Sequence, residues 1–113
     1  MSKITTHVLD LGNGVPALGV KVELEQRKDE HWVTLGASVT NGDGRARDLL
    51  PAEAALETGV YRLRFHSGKY FAKNGVQALH PVVEIVFEVR DIAAHYHIPL
   101  LVTPHAYSTY RGS

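Results

Sequence analysis

The chain has 113 residues, with lysine plus arginine (12) equal to aspartate plus glutamate (12), seven histidines and no cysteine. That length suits a single domain, residues 1–113, able to bury a core without disulfides, and the charge balance argues against nucleic acid as a partner. The missing cysteine excludes thiolate zinc sites and a cysteine nucleophile. No apolar run suits a secretory signal or a membrane span, so the chain reads as a cytoplasmic protein with no membrane partner.

The period along the chain is mostly two. "ITTHVLDL" (4–11) sets Ile4, Thr6 and Val8 on one face and Thr5, His7 and Leu9 on the other, so neither face is cleanly polar. "GVKVELEQR" (19–27) sorts Val20, Val22 and Leu24 from Lys21, Glu23 and Glu25, as a half-buried strand requires. "VYRLRFH" (60–66) separates Tyr61, Leu63 and Phe65 from Arg62, Arg64 and His66 in the same way. The segment "SGKYFAKNG" (67–75) breaks the period and predicts a two-turn helix capped by Gly75. Alternation resumes in "VVEIVFEVR" (82–90), with Val83, Ile85, Phe87 and Val89 inward. In "AHYHIPLLV" (94–102), Tyr96, Ile98, Leu100 and Val102 form a core face, while His95, His97, Pro99 and Leu101 share the other. The last strand, "AYSTYR" (106–111), sets Ser108 and Tyr110 against Tyr107 and Thr109. Turn signals at 12–14, 28–30, 41–44 and 80–81 separate these runs, which is the pattern of an all-β antiparallel sandwich of about eight strands with one short helix.

The half-apolar, half-histidine face of 95–101 does not suit open water, and calls for cover by a second subunit or for the wall of a ligand cleft. Histidine is the side chain whose ordinary pKa allows proton transfer near neutral pH, so His7 and His97 on such faces are candidates for chemistry. His95 and His97, with His7 or His105, also have the residue types of a three-histidine zinc site. His31, His66, His80 and His105 read as strand-end or loop residues, and Trp32 as packing or subunit contact.

Three stretches, "THVLDLGNGVPA", "NGDGR" and "HYHIPLLVTPHAYSTYRGS", make the whole chain resemble the transthyretin-related family, specifically its 5-hydroxyisourate hydrolases. The resemblance implies a transthyretin-like sandwich with one helix after its fifth strand. It also implies a homotetramer built as a dimer of dimers, and metal-free, cofactor-free hydrolysis of the hydroxyisourate ring after urate oxidation. His7, Arg45 and His97 match the family's catalytic positions, and Tyr110, Arg111, Gly112 and Ser113 match its closing tetrapeptide, with Ser108 beside them on the substrate-binding side.

Water-driven ring opening needs a base for the water proton, an acid for the departing nitrogen and donors at the carbonyl oxygen. Arg45 suits the last role through its fixed fork of donors, and the two histidines suit the water. No Ser–His–Asp set is visible, so Ser113 is expected to position substrate through its hydroxyl or a terminal carboxylate, with Gly112 permitting a fold-back turn. A small-ligand carrier using the channel that the resemblance implies between the dimers and a purely structural module are the alternatives, and neither requires two histidines and an arginine at one place.

Overall fold

Alternation along residues 19–27 becomes a strand because aliphatic side chains at every second position all reach one face of the pleat. The computed structural model describes residues 3–113. In chain order its elements are β1 (Ile4–Asp10), β2 (Val15–Pro16), β3 (Lys21–Lys28), β4 (His31–Val39), β5 (Arg45–Ala46), β6 (Gly59–Phe65), α1 (Ser67–Lys73), β7 (Val83–Val89), β8 (Tyr96–His97), β9 (Leu100–Val102) and β10 (Tyr107–Thr109). One sheet runs β4, β3, β6, β7, antiparallel throughout. The other is built around β1, which pairs with β2, β5, β8 and β9, while β10 flanks β9. Three of the strands, β2, β5 and β8, are two-residue pieces, so the helix follows the sixth segment rather than the fifth.

The two inner faces form one core. Ile4 and Val8 of β1, Val22 and Leu24 of β3, Leu63 and Phe65 of β6, and Leu100 and Val102 of β9 are all buried there, as alternation requires. Each such side chain contributes about 1.5–3 kcal/mol by leaving water. At β7 the burial is weaker, with Ile85 and Phe87 only partly covered, because this strand is the edge of its sheet. A bulge between Leu24 and Glu25 disturbs the pattern of β3. Glu25, expected in water, is buried on the outer face, where Arg62 Nε donates to it at 2.6 Å and the Arg62 guanidinium lies 4.3 Å from the centroid of Trp32. Trp32 is thus packing on that face.

The expected antiparallel order holds except at one junction. β1 runs parallel to both β8 and β9, pairing Thr5 with His97 and Leu9 with Leu101. Alternation shows which face a residue takes but is silent on strand direction, so the parallel pair left no mark in the sequence. The core-side Thr6 is satisfied there, its hydroxyl donating to the Ile98 carbonyl at 2.5 Å. The helix lies where it was expected and buries Ser67 and Phe71. Asn74 takes the cap position, and the amides of Gly75 and Val76 donate back to Ala72 and Phe71, closing a Schellman motif with Gly75 one residue past the cap. Tyr70 ties the helix to β1 by donating to Asp10 at 2.8 Å, and burial together with that carboxylate pushes its phenol up to about 12. Among the described residues no helix is long and apolar enough to cross a membrane.

Candidate active site

Register builds the site. Thr5 and His7 share the outward face of β1, with His97 of β8 opposite Thr5 on one side and Arg45 of β5 opposite His7 on the other. Opposed residues in paired strands project to the same face, so four polar side chains from three strands meet there. Arg45 is fixed by the preceding turn. Asn41 Oδ1 accepts from the amides of Asp43 (2.9 Å) and Arg45 (3.1 Å), and Gly44 sits at φ 77°, with a hypothetical Cβ falling 2.4 Å from the Val8 carbonyl oxygen. Only glycine fits that close approach to β1 at that φ.

Hydrogen bonds decide which ring nitrogens remain free. His7 Nε2 lies 2.7 Å from the Asp43 carbonyl, which can only accept, so Nε2 carries the hydrogen and Nδ1 is left for other work. His97 is engaged at its other nitrogen, with Nδ1 2.8 Å from Thr5 Oγ1, which leaves Nε2 free. Half-burial, then the charge of Arg45, then His95 and His7, hold the His97 pKa below its ordinary value, favouring the neutral, proton-accepting ring.

A cavity of about 450 Å³ opens beside these groups. Thr5, Arg45, His95, His97 and Ser113 line it, while Arg47 and Asp48 add charge of both signs. Of the residues expected from sequence, Arg45, His97 and Ser113 therefore meet at one hollow, while His7 is not among its lining residues and lies opposite Arg45 in the strand register. Gly112 packs directly on the site by a different route from the one expected. Its φ is not positive; instead its amide donates to the His97 carbonyl at 2.7 Å, and a Cβ there would lie 2.5 Å from His97 Cδ2. Close approach, not a turn, is what requires glycine. Pro99, on the face expected to need cover by a second subunit or to wall a cleft, is already buried within the chain, because this closing segment covers it and Thr109 donates to its carbonyl at 2.6 Å.

Arg111 and Tyr110 point elsewhere within one chain. The Arg111 guanidinium lies 4.5 Å from the centroid of Tyr96, and with Tyr110 it borders a separate hollow of about 270 Å³ beside Phe87 and Ile98. Ser108 is exposed on β10 opposite Leu101. Thr5 was given no site role from sequence and His95 only that of a candidate zinc ligand, although Thr5 stands two residues before His7 on the same face, which was the available signal. Among the described residues no group of three histidines, cysteines or acids is arranged to hold a metal. His95 and His97 instead lie nearly parallel, 6.3 Å between centroids, and both turn a nitrogen toward Thr5 Oγ1.

A two-sheet sandwich with a histidine and arginine cluster on its outer face defines a transthyretin-type fold fitted with hydrolytic groups. The chain belongs to the HIUase/Transthyretin family, whose model matches residues 4–112. It is 47% identical over 119 residues to the 5-hydroxyisourate hydrolase of Halalkalibacterium halodurans, covering 98% of each chain. With that of Caulobacter vibrioides it is 45% identical over 117 residues, covering 100% of each. Among solved structures, a Klebsiella pneumoniae 5-hydroxyisourate hydrolase aligns with TM-score 0.83 at 37% identity, over 97% of this chain and 98% of that one. Sea bream transthyretin in complex with thyroxine aligns with TM-score 0.92 at 29% identity, over 98% and 95%.

Proposed function

We propose that the chain hydrolyses 5-hydroxyisourate to 2-oxo-4-hydroxy-4-carboxy-5-ureidoimidazoline, the ring-opening step after urate oxidation. Backbone shape does not separate hydrolase from carrier, since the transthyretin structure superposes with the higher TM-score. The carrying observation is chemical: Arg45 and His97 line one cavity with Ser113, and His7 faces Arg45 across paired strands. A carrier for a largely apolar ligand has no use for that set, and the higher sequence identities are to hydrolases.

In this reading a water held near His97 Nε2 attacks the ring carbonyl as Nε2 takes its proton. Arg45 supports the oxygen as it becomes an oxyanion, and the carbon–nitrogen bond breaks as Nε2–H returns the proton to the departing nitrogen. His7, tethered to Asp43, helps orient the water or ring through Nδ1. Ser113 contacts substrate at the cavity wall, Gly112 lets the closing segment sit on His97, and Arg111 anchors that segment over Tyr96. Tyr110, at its separate hollow, and Ser108, exposed on β10, contribute to substrate binding across a channel between subunits of a homotetramer. The enzyme works in the cytoplasm and without metal; exhaustive chelation is expected to leave turnover intact, and loss of activity restored by zinc would contradict this. The decay of freshly generated hydroxyisourate, followed by absorbance, tests the whole reading. Acceleration proportional to protein concentration is expected, and decay at the uncatalysed rate would overturn it. The second reading, a thyroxine-type carrier, rests on the transthyretin superposition and predicts tight ligand binding without turnover.

A further inference from the structure

The hydroxyl of Thr5 lies between two imidazoles, 2.8 Å from His97 Nδ1 and 3.1 Å from His95 Nε2. A hydroxyl has one hydrogen to donate and lone pairs to accept, so it cannot donate to both rings at once. It accepts from both rings or accepts from one while donating to the other, and the second arrangement couples their tautomers. His97 is half-buried at the cavity, whereas His95 is exposed. The geometry points to a proton relay, His97 to Thr5 to His95, that moves the positive charge of the reaction from the ring at the cavity onto the ring at the surface.

The inference rests on the hydrolase reading and balances proton by proton. At the start His97 carries its hydrogen on Nδ1, donating to Thr5 Oγ1, and the Thr5 hydroxyl donates to His95 Nε2. As His97 Nε2 takes the proton of the attacking water, the Nδ1 hydrogen passes to Thr5 and the Thr5 hydrogen passes to His95. His97 ends neutral with its hydrogen on Nε2, and His95 becomes the imidazolium. When Nε2–H protonates the departing nitrogen the relay runs backwards, so no net proton is gained. Arg45 is the reason such a device would be of use, because it would repel an imidazolium at His97, and burial opposes charge there as well. Thr5 does not accept or give a proton to substrate in this scheme; it acts through His97.

The test compares Thr5→Val, which keeps shape and removes the hydroxyl, with Thr5→Ser, which keeps the hydroxyl, and with His95→Gln, which keeps a hydrogen-bonding side chain that cannot hold the proton. Thr5→Val and His95→Gln should each lower kcat at least about tenfold with KM within about twofold, and Thr5→Ser should recover most of the loss. Turnover in mixed light and heavy water should give a bowed proton inventory for the unaltered chain and a straight one for Thr5→Val. Nitrogen NMR of His97, which needs no substrate, should show Nδ1–H in the unaltered chain and a mixture of tautomers in Thr5→Val. Unchanged kcat in Thr5→Val or His95→Gln, a loss confined to KM, or an unchanged His97 tautomer would overturn the relay. Absence of turnover in the unaltered chain would instead count against the hydrolase reading, and the NMR arm would still decide whether Thr5 sets the tautomer.

Discussion

At the scale of single residues, the site depends on His97 being neutral and on Arg45 being beside it. Arg45→Ala and His97→Ala are each expected to lower kcat/KM by at least about a hundredfold while the melting temperature stays close to that of the unaltered chain, since both side chains project from the outer face. The sign of the pH effect follows from the lowered His97 pKa. A base that resists protonation stays active to a lower pH than an ordinary imidazole with its pKa of about 6.5. Removing the Arg45 charge removes one of the causes of that lowering, so the acid limb of the pH–rate profile of Arg45→Ala should move upward. The same shift bears on stability: as pH falls from the ordinary value toward the folded value, only the unfolded chain takes up the proton, and stability declines across that window. Gly112→Ala tests a contact rather than a charge. Its Cβ would meet His97 Cδ2 at 2.5 Å, so either the ring or the closing segment must move, and a loss of at least about tenfold in kcat/KM, or ~1.4 kcal/mol of transition-state stabilisation, is expected. A variant as active as the unaltered chain would show that the contact is not part of the working geometry.

At the scale of elements, what was legible in the sequence was whatever follows from period two. Inward and outward positions of β1, β3 and β6, and the core face of 96–102, follow from alternation because burial acts on every second side chain. The helix was legible for a similar reason, since the glycines that bound 68–75 cannot continue a strand pattern. What alternation does not encode is which strands pair and in which direction, and that hid the Thr5 to His97 contact together with the roles of Thr5 and His95. What covers Pro99 was hidden for a related reason: its place on the outer face followed from alternation, but the segment that folds over it lies ten or more residues downstream. Deleting 110–113 removes that cover and the Gly112 bridge to His97. The core lies upstream in β1 to β9, so the truncated chain should keep its far-ultraviolet β spectrum while kcat/KM falls at least about tenfold. A truncated chain with full activity would return these four residues to a packing role.

At the scale of the whole molecule, the outer face of the β1 sheet remains partly wet in a single chain. Leu101 is partly covered, Ser108 opposite it is exposed, and Tyr110 is 57% exposed. A part-apolar face left wet beside a histidine cluster suits the wall of an intersubunit channel, so light scattering at micromolar concentration should find a tetramer of the 12.4 kDa chain, and a fully active monomer would contradict that. The parallel junction has a temporal consequence as well. Thr5 and His97 are 92 residues apart in the chain, and closing so long a loop carries an entropic cost that neighbouring hairpins do not. The β4-β3-β6-β7 sheet can assemble from shorter loops while the catalytic cluster is still in separate pieces, with Thr5 and His7 near one end of the chain and His95 and His97 near the other. Trp32, the sole tryptophan, lies in that sheet and reports on it alone. On refolding from denaturant, tryptophan fluorescence should therefore recover ahead of turnover, and recovery of both with a single rate constant would mean that the two halves of the sandwich nucleate together.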